Sequence, residues 1–294
     1  MDDKVIVIGA VNVDFIATVD DRPLGGQTVL ATDLTRRAGG KGANQAAAAA
    51  RAGASTTFVG AVGDDQNGVE QLDELQLLGV NVDSVRRIPG METGFAFITV
   101  TPDGENSIVV VSGANGELEP ADAVDALFGV QTGTLVVLQT EIDAAVVDAA
   151  ARTCSERDAR VVLNDGPVAR LAESTLALAD PIVVNEHEAR ELCRGVAITS
   201  DRDLAKIVRA VTRARSVVVT LGAEGVLLAS QTEDAFVEAV AASEVVDTTG
   251  AGDTFVGTLA AGLARGEELV TAIRAAVGAA SAAVTWLGAR PPRE

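Results

Sequence analysis

Short, continuous runs of valine, isoleucine and leucine recur along the chain and alternate with longer segments of helical spacing. The runs occupy residues 5–11, 135–138, 161–163, 182–184 and 217–219. Apolar runs without polar alternation are typical of parallel strands that helices cover on both faces. Their alternation with helices predicts an α/β protein built on a layered, mostly parallel sheet.

Apolar and alanine-rich spans predict the clearest helices. Residues 43–52 are followed by Gly53, and a second alanine-rich span covers residues 269–284. Alanine has the highest helix propensity, and glycine commonly ends a helix. A further apolar run of helical character covers residues 254–263. We expect these helices to pack against the sheet.

A different pattern appears in residues 93–112. Two β-rich runs, 93–101 and 107–112, flank the turn residues 102–106. This arrangement is typical of an antiparallel hairpin, which in an otherwise parallel protein indicates a small separate sheet. We expect residues 15–35 to add strands to it. Such a sheet needs its other face covered by substrate or by a second subunit, so we expect a lid that also forms a homodimer.

The chain is long enough to bury a full core, with 294 residues and a hydrophobic content of 48%. We predict a three-layer α/β domain formed by residues 1–11, 36–90 and 114–294. The small β-sheet lid is predicted to comprise residues 12–35 and 91–113.

Charge and composition narrow the possible partners. The chain has 23 Lys and Arg against 42 Asp and Glu, a net charge of -19 that disfavours binding to nucleic acid and to anionic membranes. No stretch approaches the ~20 apolar residues of a membrane span, and residues 1–4 lead into a strand instead of a basic signal peptide. We therefore expect a cytoplasmic protein. Cys154 and Cys193 lie far apart and have no CxxC or histidine partner nearby, so neither a disulfide framework nor a zinc site is expected.

Polar residues, and in one case also a glycine, follow each predicted strand. They are Asn12 and Asp14, Gln139 and Glu141, Asn164 and Asp165, Asn185 and Glu188, and Thr220 and Gly222. In open α/β sheets, ligands bind outside the carboxyl ends of the strands. Side chains from distant parts of the chain are therefore predicted to converge on one crevice.

The segment Asp247-Thr-Thr-Gly-Ala-Gly-Asp253 precedes a predicted helix. Backbone N–H groups at a helix N-terminus lack internal partners and lie at the positive end of the helix dipole. The amides of Gly250, Ala251 and Gly252 can therefore bind a phosphate. Asp253 could then accept a proton from a hydroxyl beside that phosphate, which is phosphotransferase chemistry. Taken alone, the segment fits an ordinary helix cap equally well.

The segment Gly39-Gly-Lys-Gly-Ala-Asn-Gln45 opens an alanine-rich helix. It is not a Walker A motif, because Gly42 follows the lysine where serine or threonine is required. Residues 5–12 also lack the GxGxxG pattern of a dinucleotide fold, which argues against an NAD enzyme. What remains is a tight glycine turn that presents backbone amides and Asn44 to a polar ligand.

Asn12 and Asp14 point the same way if the chain is extended, and together they can bind neighbouring hydroxyl groups of a sugar. An Asx turn after a strand explains them equally well when they are considered alone. His187 is the only histidine and lies between two glutamates with no triad or metal partner, so a surface role is favoured. Trp286 is expected to serve packing.

Seven segments together carry a family resemblance. They are Asn12-Val-Asp14, Gly39-Gly-Lys-Gly-Ala-Asn-Gln45, Ser112-Gly-Ala-Asn115, Gln139-Thr-Glu141, Asn185-x-x-Glu188, Thr220-Leu-Gly222 and Asp247-Thr-Thr-Gly-Ala-Gly-Asp253. In their order and spacing, the chain resembles the PfkB family of sugar kinases over nearly its whole length.

The resemblance implies an ATP-dependent kinase that phosphorylates the O5 hydroxyl of D-ribose. Asp253 resembles the family's base, and the amides of Gly250 to Gly252 resemble its anion hole. The positions that match sugar contacts are Asn12, Asp14, Gly40, Lys41, Asn44, Glu141 and Asp253. The positions that match nucleotide contacts are Asn185, Thr220, Gly222, Gly225, Gly252 and Val277.

The resemblance also implies two cations. Mg²⁺ would arrive with ATP, and Glu188 matches the residue that organises this metal and its waters. K⁺ would act as an activator. The positions that match its site are Asp247, Thr249, Ala283, Trp286 and Gly288. Val277 departs from the family pattern, which commonly has Asn or His near the adenine.

Two alternatives stay open. One is a family member that acts on deoxyribose, a hexose or adenosine. Only 3% of residues are aromatic and none is tyrosine, so Phe95 and Phe97 are the obvious candidates for stacking on a base. The other is a non-catalytic, sugar-binding regulator that retained the fold, against which the intact Asp253 argues.

Overall fold

A computed structural model describes residues 4–102, 106–198 and 200–290. The predicted domain division therefore extends beyond the described residues at both ends, and the centre of the predicted hairpin turn, residues 103–105, also lies outside them. Across the described ranges, no helix combines the length and apolar character needed to cross a membrane.

The strands and helices alternate along most of the chain. The strands are β1 (Lys4–Ile8), β2 (Asn12–Val19), β3 (Ala31–Gly39), β4 (Ser55–Gly63), β5 (Asn81–Ile88), β6 (Gly94–Val100), β7 (Asn106–Val111), β8 (Leu135–Gln139), β9 (Arg160–Asn164), β10 (Ala179–Asn185), β11 (Val217–Thr220), β12 (Gly225–Ala229) and β13 (Asp234–Glu238). The α-helices are α1 (Lys41–Arg51), α2 (Gln66–Leu77), α3 (Pro120–Ala126), α4 (Ala144–Glu156), α5 (Glu173–Leu178), α6 (Glu186–Leu192), α7 (Leu204–Thr212), α8 (Ala251–Ala264) and α9 (Leu269–Ala283).

The main sheet has nine strands in the order β13-β12-β11-β10-β9-β8-β1-β4-β5. All neighbours from β11 to β5 are parallel, whereas β12 and β13 add an antiparallel edge. Four of the apolar runs recognised in the sequence lie within a parallel strand, and the fifth, residues 5–11, begins in β1 but extends three residues beyond its end at Ile8. The predicted α/β class, with a mostly parallel sheet and a second small sheet, is confirmed.

Helices cover both faces of this sheet. Val5 and Val7 of β1 belong to a core cluster with α1, α8 and α9, whereas Ile8 belongs to a second cluster on the opposite face. This division follows from the alternation of side chains along a strand. Helices α1 and α8 pack closely, since a Cβ added at Gly257 would lie 2.6 Å from the Cβ of Ala48. Small side chains thus allow the two helices to approach each other closely.

The second sheet has four strands in the order β3-β2-β6-β7. Strands β6 and β7 form an antiparallel pair, in agreement with the predicted hairpin. Strand β3 continues to Gly39, so residues 36–39 belong to the small sheet. The predicted boundary, which ended the lid at residue 35 and assigned these residues to the α/β domain, is therefore wrong. Because β2 follows β1 after three residues, the small sheet begins at the carboxyl edge of the main one.

Candidate active site

Four of the residues that follow the strands are buried at one edge of the main sheet, whereas Asn185 and Gly222 are exposed. Asn12 is 3% exposed, Gln139 is 0% exposed and Asn164 is 7% exposed. Gln139 and Asn164 are direct partners in the register of β8 and β9. Polar side chains buried this deeply need hydrogen-bond partners. Oδ1 of Asn164 accepts from Gln45 of α1 at 2.9 Å and Oδ1 of Asn12 accepts from Asn115 at 2.8 Å, whereas both polar side-chain atoms of Gln139 lack a partner among the described residues.

Asp253 lies in the first turn of α8 and is only 8% exposed. The side-chain amide of Asn44 donates to its Oδ2 at 2.9 Å, and the side-chain amide of Gln45 donates to its Oδ1 at 3.0 Å. Both donors come from the first turns of α1. The close packing of α1 and α8 therefore fixes the orientation of this carboxylate.

The turn before α8 leaves space for an anion. Gly250 caps the helix with a φ of 75°, and a Cβ there would overlap the Cα of Ala289. A Cβ added at Gly252 would meet no atom within 4 Å. The Ala251 N–H already donates to the carbonyl oxygen of Thr248 at 3.3 Å, so this amide is partly engaged. The open space at Gly252, next to unpaired first-turn N–H groups, suits a phosphoryl group.

The glycine turn before α1 holds the other side of the site. Gly40 has a φ of 85°, and a Cβ there would lie 2.6 Å from the Cα of Val11. The turn is thus pressed against the chain that joins β1 to β2. As a result, the Lys41 N–H donates to Oε2 of Glu141 at 2.8 Å, which joins α1 to the end of β8.

Three carboxylates meet within this side of the crevice. Burial raises the pKa of Asp14 to about 6, an effect that Arg290 opposes and Asp253 reinforces. Burial also raises the pKa of Glu141 to about 7, against the opposing effect of Lys41. The carboxylates of Asp253 and Glu141 raise the pKa of Lys41 despite its burial. The site therefore combines hydrogen-bond acceptors with a charged amine.

Asn12 is oriented by a residue that was not assigned a role from the sequence. The amide of Asn115 donates to Oδ1 of Asn12 at 2.8 Å and to the carbonyl oxygen of Val11 at 3.1 Å, and its Oδ1 accepts from the Val11 N–H at 3.0 Å. This leaves the Asn12 amide nitrogen to donate to a ligand. Asn115 stood in one of the seven segments, but its contacts with residues 11 and 12 are long-range.

Three other residues of the site also had no assigned role. Gln45 donates to Oδ1 of Asn164 at 2.9 Å in addition to Asp253. Asn164 had appeared only as a polar strand end. Arg290 is 5% exposed and donates to Oδ1 of Asn44 at 3.0 Å. No pattern in the sequence distinguishes Arg290 from a surface arginine.

A second, more open part of the crevice lies at the ends of β10 and β11. It has a volume of about 480 Å³ and is lined by Asn185, Glu186, His187, Arg190, Thr220, Leu221 and Gly222. His187 is exposed, as the sequence favoured, but it borders this cleft. The cleft brings together three of the positions that match nucleotide contacts.

Two other positions that match nucleotide contacts, Gly225 and Val277, do not line this cleft. Gly225 begins β12, and its carbonyl oxygen accepts from the Leu221 N–H at 2.8 Å. Val277 is 6% exposed and belongs to the core cluster beneath α9. Gly225 therefore shapes the turn after β11, and Val277 contributes to packing.

The donor set near Glu188 suits a metal that arrives with a nucleotide. Glu188 and Asn185 form a reciprocal cap, in which each side chain accepts from the other's N–H, at 2.8 and 2.9 Å. The remaining oxygen of Glu188 lies over Gly166, where a Cβ would overlap it. Within the described ranges, no three acidic, histidine or cysteine side chains are arranged to hold a metal ion. One carboxylate with substrate phosphates is a common Mg²⁺ environment.

Asp247 joins the turn before α8 to the loop after α9. Its Oδ1 accepts from the Thr249 N–H and its Oδ2 from the Gly288 N–H, both at 2.8 Å. The Val284 carbonyl oxygen accepts from the N–H groups of Val246 and Asp247. The two backbone segments that match a monovalent cation site therefore lie side by side. The peptide oxygens they supply are ligands suited to K⁺.

The other two positions of that match are Ala283, the last residue of α9, and Trp286, in the loop that follows. Ala283 is 2% exposed, and the guanidinium of Arg51 lies 4.9 Å from the ring centroid of Trp286. Trp286 thus packs against α1, as expected for a packing residue.

Comparison with known proteins identifies the family. A profile described as pfkB family carbohydrate kinase matches residues 2–294. The chain belongs to the PfkB family of carbohydrate kinases. This confirms the resemblance drawn from the seven segments, and with it the prediction of a carbohydrate kinase.

Individual relatives agree with the family. The ribokinase of Bacillus subtilis (strain 168) is 38% identical over 289 residues, which cover 98% of this chain and 94% of that protein. The structure of Arabidopsis thaliana ribokinase complexed with ribose and ATP matches with a TM-score of 0.87 at 32% identity, covering 98% of this chain and 95% of that one. A Burkholderia thailandensis nucleoside kinase in complex with inosine has a TM-score of 0.80 at 23% identity, over 98% of this chain and 92% of that one, which concerns the fold alone.

Proposed function

We propose that this kinase transfers the γ-phosphoryl group of ATP to the O5 hydroxyl of D-ribose and forms D-ribose 5-phosphate. The observation that carries the proposal is the buried Asp253 carboxylate, fixed by two amides of α1, beside the open space at Gly252. The relatives named ribokinase support ribose as the acceptor. Use of ATP also agrees with the cytoplasmic location expected from the sequence.

In the proposed reaction, the O5 oxygen attacks the γ-phosphorus, and its proton passes to Asp253. The bond between the γ-phosphorus and the oxygen that bridges it to ADP breaks. Because phosphoryl transfer needs little covalent chemistry from the protein, positioning and charge stabilisation supply most of the acceleration. The amides of Gly250 to Gly252, at the positive end of the α8 dipole, would stabilise the transferring group.

The sugar would lie between the small sheet and α1. Asp14 and Glu141 offer paired acceptors for neighbouring hydroxyl groups, and the amides of Asn12 and Asn44 offer donors. Gly40 and Lys41 complete this wall of the site. A hydroxyl group left without a partner in such a buried site costs binding energy, so the arrangement selects for a matching sugar.

The nucleotide would occupy the cleft beside Asn185, Thr220 and Gly222. Glu188 is the residue we assign to the waters of the accompanying Mg²⁺, which when bound neutralises charge on the phosphates. We assign Asp247, Thr249 and residues 283–288, from the end of α9 into the following loop, to a K⁺ site that orders the anion-binding turn.

The test is an ATP-consumption assay on the purified protein with D-ribose, deoxyribose, a hexose and adenosine, run in K⁺ and in Na⁺ salts. We expect the highest kcat/KM with D-ribose and a higher rate in K⁺. A higher kcat/KM with another acceptor would overturn ribose as the substrate. Retained sugar binding without turnover of any acceptor would favour the non-catalytic regulator.

The pH dependence of the reaction follows from the buried carboxylates. We expect kcat/KM for ribose to fall as pH is lowered through about 7 and then about 6, where Glu141 and Asp14 become protonated. Above these values both groups are ionised and accept hydrogen bonds from sugar hydroxyls, whereas protonation weakens them as acceptors. The measurement is a pH profile of kcat/KM at saturating ATP.

Glu141→Gln provides the control for this pH profile. It should remove the step near pH 7 and leave the step near pH 6, because Asp14 is unchanged. A wild-type profile that stays flat across this range would contradict the assignment of both carboxylates to sugar binding.

An exposed apolar face of the small sheet supports the proposal that the protein forms a homodimer. Phe15, Phe97 and Val109 are partners in register across β2, β6 and β7, so they share one face of the sheet. On this face Phe97 is 54% exposed and Val109 is 63% exposed. The face lies opposite Asp14, so these rings cannot stack on a base bound beside that residue. A contiguous exposed apolar face of this kind is typical of a subunit interface.

A charge on this face should disrupt the dimer. We expect Val109→Asp to shift the protein from dimer to monomer, because a buried unpaired carboxylate opposes association. Sedimentation velocity would measure the change. Val110→Asp is the matched control, since Val110 pairs with Ala96 on the opposite face. Equal effects of both variants would contradict an interface on the Phe97 face.

A further inference from the structure

Arg290 is a buried cation that connects separate parts of the molecule. Its side chain is 2% exposed, and the residue lies in the segment that follows α9. Nε donates to Oδ1 of Asn44 at 3.0 Å, and Nη2 donates to the Gly39 carbonyl oxygen at 3.0 Å. Nη1 lies 3.5 Å from Oε1 of Glu74 on α2. One guanidinium thus joins α1, α2 and the last residue of β3.

These contacts determine which way the Asn44 amide faces. Its Oδ1 accepts from Arg290, so its Nδ2 is directed at Asp253, to which it donates at 2.9 Å. An amide nitrogen has two hydrogens, and the second remains available to a ligand. Without Arg290, a flipped Asn44 would place an acceptor oxygen against the Asp253 carboxylate. Arg290 therefore selects the rotamer in which Asn44 supports the base.

The surrounding charges explain why a cation is accommodated there. Asp14, Glu141 and Asp253 bring three carboxylates into the crevice, and Lys41 is the other nearby cation. Burial raises the pKa of Asp14, and the positive charge of Arg290 opposes that rise. A buried guanidinium is tolerated when paired carboxylates and carbonyl oxygens satisfy it. The forked shape of arginine allows it to contact three elements simultaneously.

The position of Arg290 in the chain connects the two halves of the site. Its neighbour Ala289 packs against Gly250, the residue that caps the anion-binding end of α8. Two residues of the same short loop donate hydrogen bonds to different parts of the site. The Gly288 N–H donates to Asp247, and Nε of Arg290 donates to Asn44. The loop therefore contacts the phosphoryl side through residues 288 and 289 and the sugar side through residue 290.

We propose that Arg290 is a positioning residue that acts through Asn44, holding this amide so that Asp253 is aligned with the acceptor hydroxyl. This inference rests on the proposed function for the role of Asp253. It extends that function by making the loop after α9 part of the sugar site. Arg290 itself does not contact the acceptor, because its donors face Asn44, Gly39 and Glu74.

The test compares Arg290→Gln with Arg265→Gln. Arg265 makes a similar set of contacts, donating to the Ala52 carbonyl oxygen at 2.9 Å and pairing with Glu267, but it lies at the opposite end of α8. We expect R290Q to lower kcat by about 10- to 100-fold, as misplacement of a catalytic group does, with the KM for ATP little changed. R265Q should leave kcat unchanged. Arg290→Lys keeps the charge but not the fork, so it should recover only part of kcat.

A double-mutant cycle separates positioning from general stabilisation. If Arg290 acts through Asn44, adding R290Q to Asn44→Ala should cause little further loss of kcat. A merely structural role predicts that the two losses multiply. Multiplying losses, or an R290Q kcat within about twofold of wild type, would overturn the proposal.

The cycle uses the acceptor with the highest wild-type kcat/KM, so rejection of ribose would overturn the proposed function without deciding the role of Arg290.

A measurement that does not depend on turnover completes the design. The side-chain amide resonance of Asn44, observed in asparagine-labelled protein, should shift in R290Q and stay unchanged in R265Q. An unchanged Asn44 resonance in R290Q would overturn the proposal even if no acceptor were phosphorylated.

Discussion

Asp253→Asn is expected to lower kcat by about 10³-fold while the Kd for ribose stays within a few-fold of wild type. The substitution preserves the size of the side chain but removes its ability to accept the hydroxyl proton. Sugar contacts from Asp14, Glu141 and Asn12 are untouched, so ground-state binding should survive. Steady-state kinetics would give kcat, and isothermal titration calorimetry without nucleotide would give the Kd for ribose.

The hydrogen bonds around Asp253 imply that this variant also causes a small local rearrangement. Asn44 and Gln45 both donate to the carboxylate, so the new amide nitrogen must face one of these donors. Asn44 is held by Arg290, which leaves Gln45 as the side chain that can adjust. Asp125→Asn, on the exposed end of α3, controls for the loss of a negative charge. A D253N enzyme with near-normal kcat would refute the assignment of Asp253 as base.

The parts of the fold that could be predicted are those in which one short segment carries the whole signal. The five apolar runs are buried on both faces of the sheet, so their sequences show little polar alternation. Strands β4 and β12 and the two edge strands, β5 and β13, were not recognised. In β5, residues Asn81–Ile88, buried and exposed positions mix, because an edge strand has fewer neighbours to cover it.

The candidate site shows the same division. The glycine turns at Gly40 and Gly250 could be recognised because each requires a positive φ within one short segment. The bond from Arg290 to Asn44 spans 246 positions, and nothing local to residue 290 indicates it. Gly225 and Val277 occupy positions that correspond to nucleotide contacts in the family, but the side chain at residue 277 is apolar and packs into the core. The sequence motifs were therefore sufficient to locate the crevice. The hydrogen-bond partners within it could not be predicted, because they depend on tertiary packing.

Gly250→Ala is the second substitution with a large expected effect. Residue 250 has a φ of 75°, which costs an alanine about 1 kcal/mol or more, and its new Cβ would lie 2.6 Å from the Cβ of Ala289. The turn or the loop after α9 must move to relieve this overlap. Because the first amides of α8 would then be displaced from the phosphoryl group, we expect kcat to fall by about 10²-fold or more.

Gly79→Ala separates the overlap from the backbone strain. Gly79 follows α2 with a φ of 84°, and a Cβ there meets no atom within 4 Å. The backbone strain should therefore lower the free energy of unfolding of G79A, measured in urea, by about 1 kcal/mol, while its kcat is unchanged. G250A should lose additional stability and most of its activity. Equal kcat values for the two variants would show that the turn tolerates displacement. In that case the α8 amides could not be the groups that stabilise the transferring phosphoryl, and the charge would have to be neutralised by Lys41 or by the metal that accompanies the nucleotide.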